Sequence, residues 1–249
     1  MQIGIIGTGY IGGTLTRKLT TLSHTVFITN KNDGKTLNDL KEGFGAIPVS
    51  LTEVVKNVDL IIVTIPQKSV LDLPKDLFDS VGENTIIVDT GNFYPNLRDG
   101  GIEGLDDTFA NSEWVQNIFG RPIVKAFNSV VFSSLADGSK PKGDLNRIGL
   151  PVASDDENAK QKVMELVDTL GFEPVDGGTI AQSWRQQPGS PVYCTDLTAP
   201  EIITHFERMG TVRTPELKEE IIKNRTLQEQ GVIAANPNDH YGHKNHGKA

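Results

Sequence analysis

The sequence predicts an α/β fold built on a doubly wound parallel sheet, and three observations carry that expectation. Strand-like and helix-like patterns alternate through most of the 249 residues, the mark of a parallel sheet covered by helices. The first strand pattern, "IGIIG", runs directly into Gly7, Gly9 and Gly12, and their G-x-G-x-x-G spacing lets a backbone approach a pyrophosphate. "DLIIVTIP" is apolar almost throughout, as a strand buried on both faces must be. Together these describe a Rossmann domain, here with a smaller carboxyl-terminal portion after it.

After the glycines, Ile11, Leu15, Leu19 and Leu22 recur at helical spacing and give one buried face. "TVFIT" reads as the second strand and "AIPV" as a short third. Ser50 and Glu53 form a capping-box pattern that opens a helix over "TEVVKNV". Beyond "DLIIVTIP" a helix is expected around Ser69 to Phe78, interrupted by Pro74. "TIIVDTG" is the next strand, and the polar, glycine-rich stretch from Asn92 to Asn111 reads as a long loop at its carboxyl end. "NSEWVQNIFG" is a helix stopped by Gly120, and "PIVKAFNS" returns as a strand.

Past Ser133 the composition changes. "ADGSKPKGD" reads as a linker and "NRIGLPVAS" as a strand. The helix "ENAKQKVMELVDTLG" buries Ala159, Val163, Leu166, Val167 and Leu170 and stops at Gly171, before a last short strand at "FEPVDGG". A charged helix follows around Pro215 to Gln230. The expected division is a dinucleotide-binding domain over 1–135, a smaller α/β portion over 136–200, and a helical extension with a mobile tail over 201–249.

The net charge of -8, with no basic block, argues against a nucleic-acid partner. Cys194 is the only cysteine, which leaves no intrachain disulfide and no CxxC metal site and fits a reducing compartment. The longest apolar run, Leu60 to Ile65, is too short to span a bilayer. The chain enters a strand at once, leaving no room for a signal peptide. A cytoplasmic protein with no membrane partner is expected.

In the glycine segment, Gly7, Thr8, Gly9, Tyr10, Ile11 and Gly12 are the candidates to cradle a pyrophosphate at a helix amino terminus. An acidic residue about 20 positions on normally holds the adenosine ribose. Here that place reads Thr29, Asn30 and Lys31. Neutral hydrogen bonds and a cation suit a 2′-phosphate, so NADP(H) is favoured over NAD(H). Asp33 would restore an NAD reading if the second strand ended later.

Three further candidate segments lie at expected strand ends, where open α/β sheets place their ligands. Thr64, Ile65 and Pro66 would meet the riboses. In Asp89-Thr90-Gly91-Asn92, Asn92 either donates to cofactor or substrate or merely shapes a turn. In Lys125-Ala126-Phe127-Asn128, Ala126 borders the cofactor, while Lys125 and Asn128 are the catalytic candidates. Lys125 is a cation inside an apolar strand, unfavourable to bury alone, so it should reach a carboxylate or the ligand. No Tyr-x-x-x-Lys and no G-x-S-x-G occurs. The turn in "WRQQPGSPVY" is either a pocket wall or a plain loop. His240, His243 and His246 read as part of a frayed polar tail, and no metal is expected.

These segments together resemble the F420-dependent NADP reductase family, proteins of the 8-hydroxy-5-deazaflavin:NADP oxidoreductase type. The resemblance runs from Gln2 to Cys194 and rests on "IGIIGTGYIGGTL", "HTVFITNK", "DLIIVTIP", "VKAFN", "VASDDENAKQKVMELVDTLGFEPVDGG" and "QPGSPVY". In that family a Ser-Arg pair commonly follows the second strand. Asn30 and Lys31 at the matching positions keep the charge but lose the bidentate fork. The resemblance implies a homodimer and direct hydride transfer between nicotinamide C4 and deazaflavin C5. Such chemistry suits a chain without an obvious general acid, because the cofactors carry the reaction. The partner would be a small-molecule hydride acceptor or donor, a deazaflavin or flavin. Two alternatives stay open: an NADPH-dependent reductase of a small carbonyl or imine, using Lys125 or a pocket residue as proton donor, and a non-catalytic NADP-binding module.

NADPH is expected to bind at least tenfold more tightly than NADH. One charge-assisted contact is worth about 1.5–3 kcal/mol, and tenfold corresponds to about 1.4 kcal/mol. Titration of Lys31→Glu should show that preference shrunk or reversed, and equal affinities in the unmodified chain would remove the phosphate assignment.

Overall fold

The computed structural model describes residues 1–31, 33–105 and 110–231. Among these, eight strands form one sheet: β1 (Gln2–Ile6), β2 (Thr25–Thr29), β3 (Ile47–Pro48), β4 (Leu60–Val63), β5 (Ile86–Asp89), β6 (Val124–Lys125), β7 (Gly149–Ser154) and β8 (Glu173–Gly178). Their order is β3-β2-β1-β4-β5-β6-β7-β8. Every neighbouring pair is parallel except β6 with β7, where Val124 faces Ser154. The chain winds outward from β1 in both directions, so the order reverses between β1 and β4. This is the expected doubly wound Rossmann sheet, and the carboxyl ends of strands at such a reversal are where open α/β sheets place their ligands.

The helices are α1 (Tyr10–Thr21), α2 (Gly34–Phe44), α3 (Asn111–Phe119), α4 (Phe132–Asp137), α5 (Glu157–Thr169), α6 (Ala199–Met209) and α7 (Pro215–Glu229). They form layers on both faces, which explains the unbroken apolar strands. Side chains alternate between faces along a strand. Ile3, Ile5, Leu60 and Ile62 therefore pack with Leu15, Leu19, Val163 and Leu166 on one side. Ile6, Ile61 and Val63 pack with Phe78, Trp114 and Phe119 on the other.

Several elements differ from the sequence expectation. Residues 34–44, given no element in the sequence reading, form α2, because Asp33 caps it by accepting the Thr36 N–H at 2.9 Å. The capping-box contact of Ser50 and Glu53 is made at 3.0 Å. No α-helix follows, however, since Asn57 turns left-handed at φ 53°. The segment around Ser69 to Phe78 is a 3-10 turn over Gln67–Asp72 followed by turns, ended by an extended Leu73 before Pro74. The loop after β5 contains a π-turn over Pro95–Asp99. β6 shrinks to two residues, cut off by left-handed Phe127 at φ 59°. The supposed linker after Ser133 begins inside α4. Helix α6, unforeseen, starts on a Thr198/Glu201 capping box. Helix α5 and its Gly171 stop are as expected.

The carboxyl-terminal helices pack on the same chain. Ile202 and Phe206 of α6 join Val175 and Val192 in a small buried cluster. At the end of α7, the Glu229 carboxylate accepts from the Asn96 backbone at 3.1 Å and its side chain at 2.7 Å. Gln228 Oε1 accepts the Gly189 N–H at 2.8 Å. The His240-His243-His246 segment lies outside the described residues.

Truncation after Pro200 should therefore destabilise the fold. Burying a side chain such as Ile or Phe is worth about 1.5–3 kcal/mol, and each kcal/mol moves Tm by about 2–4 °C in a chain of this size. A thermal melt lowered by roughly 10 °C is expected from those two side chains; an unchanged melt would show that the docking contributes nothing.

Candidate functional site

β1 ends at Ile6, and Gly7 turns away at φ 98° with its N–H donated to the Thr29 carbonyl at 2.9 Å. A Cβ on Gly7 would collide with the Thr64 carbonyl, and one on Gly12 with the Gly7 carbonyl and Thr64 Oγ1. Both glycines are thus required by close packing of α1 onto the ends of β1 and β4. Thr64 Oγ1 locks the contact by donating to the Gly7 carbonyl at 2.9 Å.

Gly9 is different: a Cβ there meets no atom within 4 Å. Internal packing gives no reason for this glycine. It is the N-cap of α1, with no side-chain cap and no acidic residue in the first turn. The open N–H groups and positive end of the helix dipole therefore face free space, an arrangement that receives a phosphate.

At the end of β2, Asn30 Nδ2 donates to Thr8 Oγ1 at 2.8 Å and ties that strand to the glycine loop. Lys31 Nζ lies 3.3 Å from Asp72 with side chains 75% and 58% exposed, a solvated pair that holds its lysine weakly. Asp33 is committed to capping α2, and its bonds from Thr36 hold its carboxyl below the usual range.

Tyr10 is 59% exposed and stacks on Phe132 with ring centres 4.6 Å apart. Ile11 packs against the core beneath it. Ile65 lies beside Gly7, and Pro66 precedes the 3-10 turn.

The ends of β5 and β6 are joined by buried polar contacts. Lys125, 1% exposed, reaches the Asp89 carboxylate at 2.8 Å and also donates to the Gly91 carbonyl. The carboxylate partner expected for it is present. Asp89 further accepts from Ser112 Oγ at 3.0 Å and the Gly91 N–H at 2.8 Å. Burial pulls the Lys125 ammonium pKa down, and Asp89 opposes that shift. Ala126 is fully buried in the core.

Asn128 sits in a lattice of amides. Its Nδ2 donates to Asn92 Oδ1 at 3.1 Å and to the Gln186 carbonyl at 2.7 Å, while its Oδ1 accepts from Gln186 Nε2 at 2.9 Å. Asn92 Nδ2 returns a bond to the Asn128 carbonyl at 2.8 Å and lies 3.5 Å from Tyr193 Oη.

Sequence reasoning missed the tyrosines here. The Tyr94 and Tyr193 hydroxyls are hydrogen-bonded to each other, and burial pushes both phenols well above their ordinary pKa. Their separation along the chain leaves no motif; the only hint is the "WRQQPGSPVY" turn, which delivers Tyr193. Among the described residues no group of His, Cys, Asp and Glu could hold a metal, and no helix is long and apolar enough to cross a membrane.

Residues 2–93 match the model of the family described as NADP oxidoreductase, coenzyme F420-dependent. The resemblance read from the sequence is borne out over that segment. Over 81 residues the chain is 42% identical to the protein YjhV of Escherichia coli (strain K12), a stretch covering 31% of this chain and 59% of YjhV. The chain thus spans less than two thirds of that relative. Among solved structures, the hypothetical protein SMa0349 from Sinorhizobium meliloti is similar with TM-score 0.66 and 29% identity, over 80% of this chain and 95% of that one. An Arthrobacter sp. FB24 protein, provisionally described as an F420-dependent NADP-reductase, gives TM-score 0.59 at 20% identity, over 84% and 93% of the two chains. At that identity the likeness shows the shared fold.

The contrast between the glycines is directly testable by thermal shift. Gly9→Val should melt near the unmodified chain but lose the stabilisation that NADPH confers by mass action. Gly12→Val should melt early with or without NADPH, from the backbone collision. An NADPH shift of full size in Gly9→Val would place the dinucleotide elsewhere.

Proposed function

We propose that this chain is an NADP(H)-dependent oxidoreductase that passes hydride between the nicotinamide and a deazaflavin or flavin-like acceptor. The family match over residues 2–93 supports the coarse class. The observation that carries the reading is Gly9, a glycine kept free of side-chain atoms above an uncapped helix terminus at the switch point of the sheet.

The strand order β2-β1-β4-β5-β6 sets the candidate residues in a row. Lys31 stands at the β2 end, Gly7 to Gly12 at β1, Thr64 to Pro66 at β4, Asn92 at β5, and Ala126 and Asn128 at β6. Lys31, Thr29 and Asn30 would hold the 2′-phosphorylated ribose, the glycine loop the pyrophosphate, and the β4 to β6 ends the nicotinamide half. The cofactor supplies the hydride. The residues named orient it, and the Asp89–Lys125 bond fixes the two strand ends against which the acceptor would lie. A homodimer, a cytoplasmic location and the three-part division at residues 135 and 200 belong to the same reading.

Reduction of a small carbonyl or imine is the second reading, favoured by the paired hydroxyls of Tyr94 and Tyr193, since such a substrate takes up a proton with the hydride. Loss of NADPH absorbance, followed with 8-hydroxy-5-deazaflavin, FMN, small ketones and cyclic imines, separates the readings. Turnover with the deazaflavin or FMN is expected. Turnover confined to ketones or imines would replace the first reading by the second, and tight NADPH binding without turnover would leave a binding module.

A further inference from the structure

We propose that Tyr94 and Tyr193 form a directed hydrogen-bond chain that delivers the proton accompanying each hydride, with Tyr94 touching the acceptor and Tyr193 behind it. This rests on the hydride-transfer reading above. Hydride transfer breaks the nicotinamide C4–H bond with both electrons and forms a C–H bond on the acceptor. The acceptor's displaced electron pair settles on a ring nitrogen, an imine nitrogen or a carbonyl oxygen, and that atom takes the Tyr94 proton. The nicotinamide is oxidised, the acceptor is reduced, and Tyr94 regains a proton from water when product leaves.

The amides behind the pair set the direction of donation as far as Tyr193. Gln186 Nε2 lies 3.2 Å from the Pro151 carbonyl, which can only accept, so the orientation of this side chain is fixed. The same nitrogen donates to Asn128 Oδ1 at 2.9 Å. Asn128 Nδ2 must then be the donor to the Gln186 carbonyl and to Asn92 Oδ1. Asn92 Nδ2 is in turn pinned by the Asn128 carbonyl at 2.8 Å and points its remaining N–H at Tyr193 Oη. Tyr193 Oη accepts from Asn92 and also has Cys194 as a side-chain partner. Either hydroxyl can donate in its bond to Tyr94, and the relay runs with Tyr193 as that donor and the Tyr94 hydrogen given to the acceptor. Each amide is oriented by a backbone carbonyl, so the three amides donate one way, toward Tyr193.

Location and charge agree with that role. Tyr94 follows the end of β5, and Cys194, next to Tyr193, is tied to the Ser129 carbonyl beyond β6 at 2.8 Å. Tyr94 and Val131 pack against the cluster of Tyr193 and Cys194, and Phe132, next to Val131, stacks on Tyr10, the residue after Gly9. The pair is thus joined through Val131 and its chain neighbour Phe132 to the residue that follows Gly9. Burial keeps both phenols protonated at neutral pH, with Cys194 and Asp99 acting in the same direction on Tyr94. The Arg98 guanidinium, 5.1 Å from the Tyr94 ring centre, opposes them and stabilises the phenolate left after transfer.

The chain has four tyrosines, so 3-fluorotyrosine labelling gives four 19F resonances, assigned by Tyr→Phe at each position. Adding NADP⁺ should move the Tyr94 and Tyr193 signals together, and Tyr193→Phe should itself move the Tyr94 signal. A shift at Tyr10 alone would show bound cofactor with the pair elsewhere, which overturns the relay but not the hydride-transfer reading. No shift at any tyrosine would overturn both. Kinetically, Tyr94→Phe should lower kcat at least tenfold with the acceptor that the unmodified chain turns over, keep the NADPH Kd within twofold, and lose the solvent deuterium isotope effect. Tyr193→Phe should lower kcat about threefold and reduce that isotope effect. Tyr94→Phe with an unchanged kcat and isotope effect would refute the proposal.

Discussion

The first turn of α1 rests on bare backbone, and much of the candidate site depends on that contact. Gly12 lies against the carbonyl of Gly7 and the hydroxyl of Thr64, so helix, β1 turn and β4 end meet without an intervening side chain. Close packing leaves no slack: any added atom must displace backbone rather than a flexible side chain. It is this seating that holds the helix terminus above Gly9 and aims its unpaired N–H groups at one volume of space. A helix dipole is useful to a ligand only while its end is fixed.

The other half of the site is fixed by polar contacts. Asp89 and Lys125 form an ion pair with both side chains nearly inaccessible. Removing one member of such a pair leaves an unmatched buried charge, worth about 3–5 kcal/mol. Around it, Asn92, Asn128 and Gln186 satisfy one another through their amides, and low local polarity strengthens each bond. Lys125 thus holds β5 to β6 from within, while the partly exposed Asn92 and Tyr94 carry that rigidity to the edge of the site.

The sheet was legible in the sequence because both of its faces are covered. Apolar runs such as "DLIIVTIP" need only one physical cause, and the structure supplies it with helices on each side. Helix α5 was equally plain, with its apolar stripe and a Gly171 stop at φ 93°. The misread elements are those in which a local device outweighs periodicity. Asp33 begins α2 where Asn-Asp-Gly looks like a turn, and Asn57 turns the chain before the helix announced by the Ser50/Glu53 capping box can form. In the site, glycine spacing marked the loop, but the separate reason for Gly9 lies in the open space that tertiary packing leaves around it. The Tyr94–Tyr193 contact joins residues far apart in the chain, and only tertiary packing brings them together.

The bond from Glu229 to Asn96 gives the chain an unusual division of responsibility. The first strands and α1 build the glycine cradle, whereas α7 holds the π-turn beyond Tyr94. The β1–α1 segment and α7 therefore govern opposite ends of one row of strand tips. A change near α7 acts on the loops beside the tyrosines without passing through Gly7, Gly12 or Thr64. Such an arrangement lets the far loops be redrawn through α7 while the cradle stays as it is.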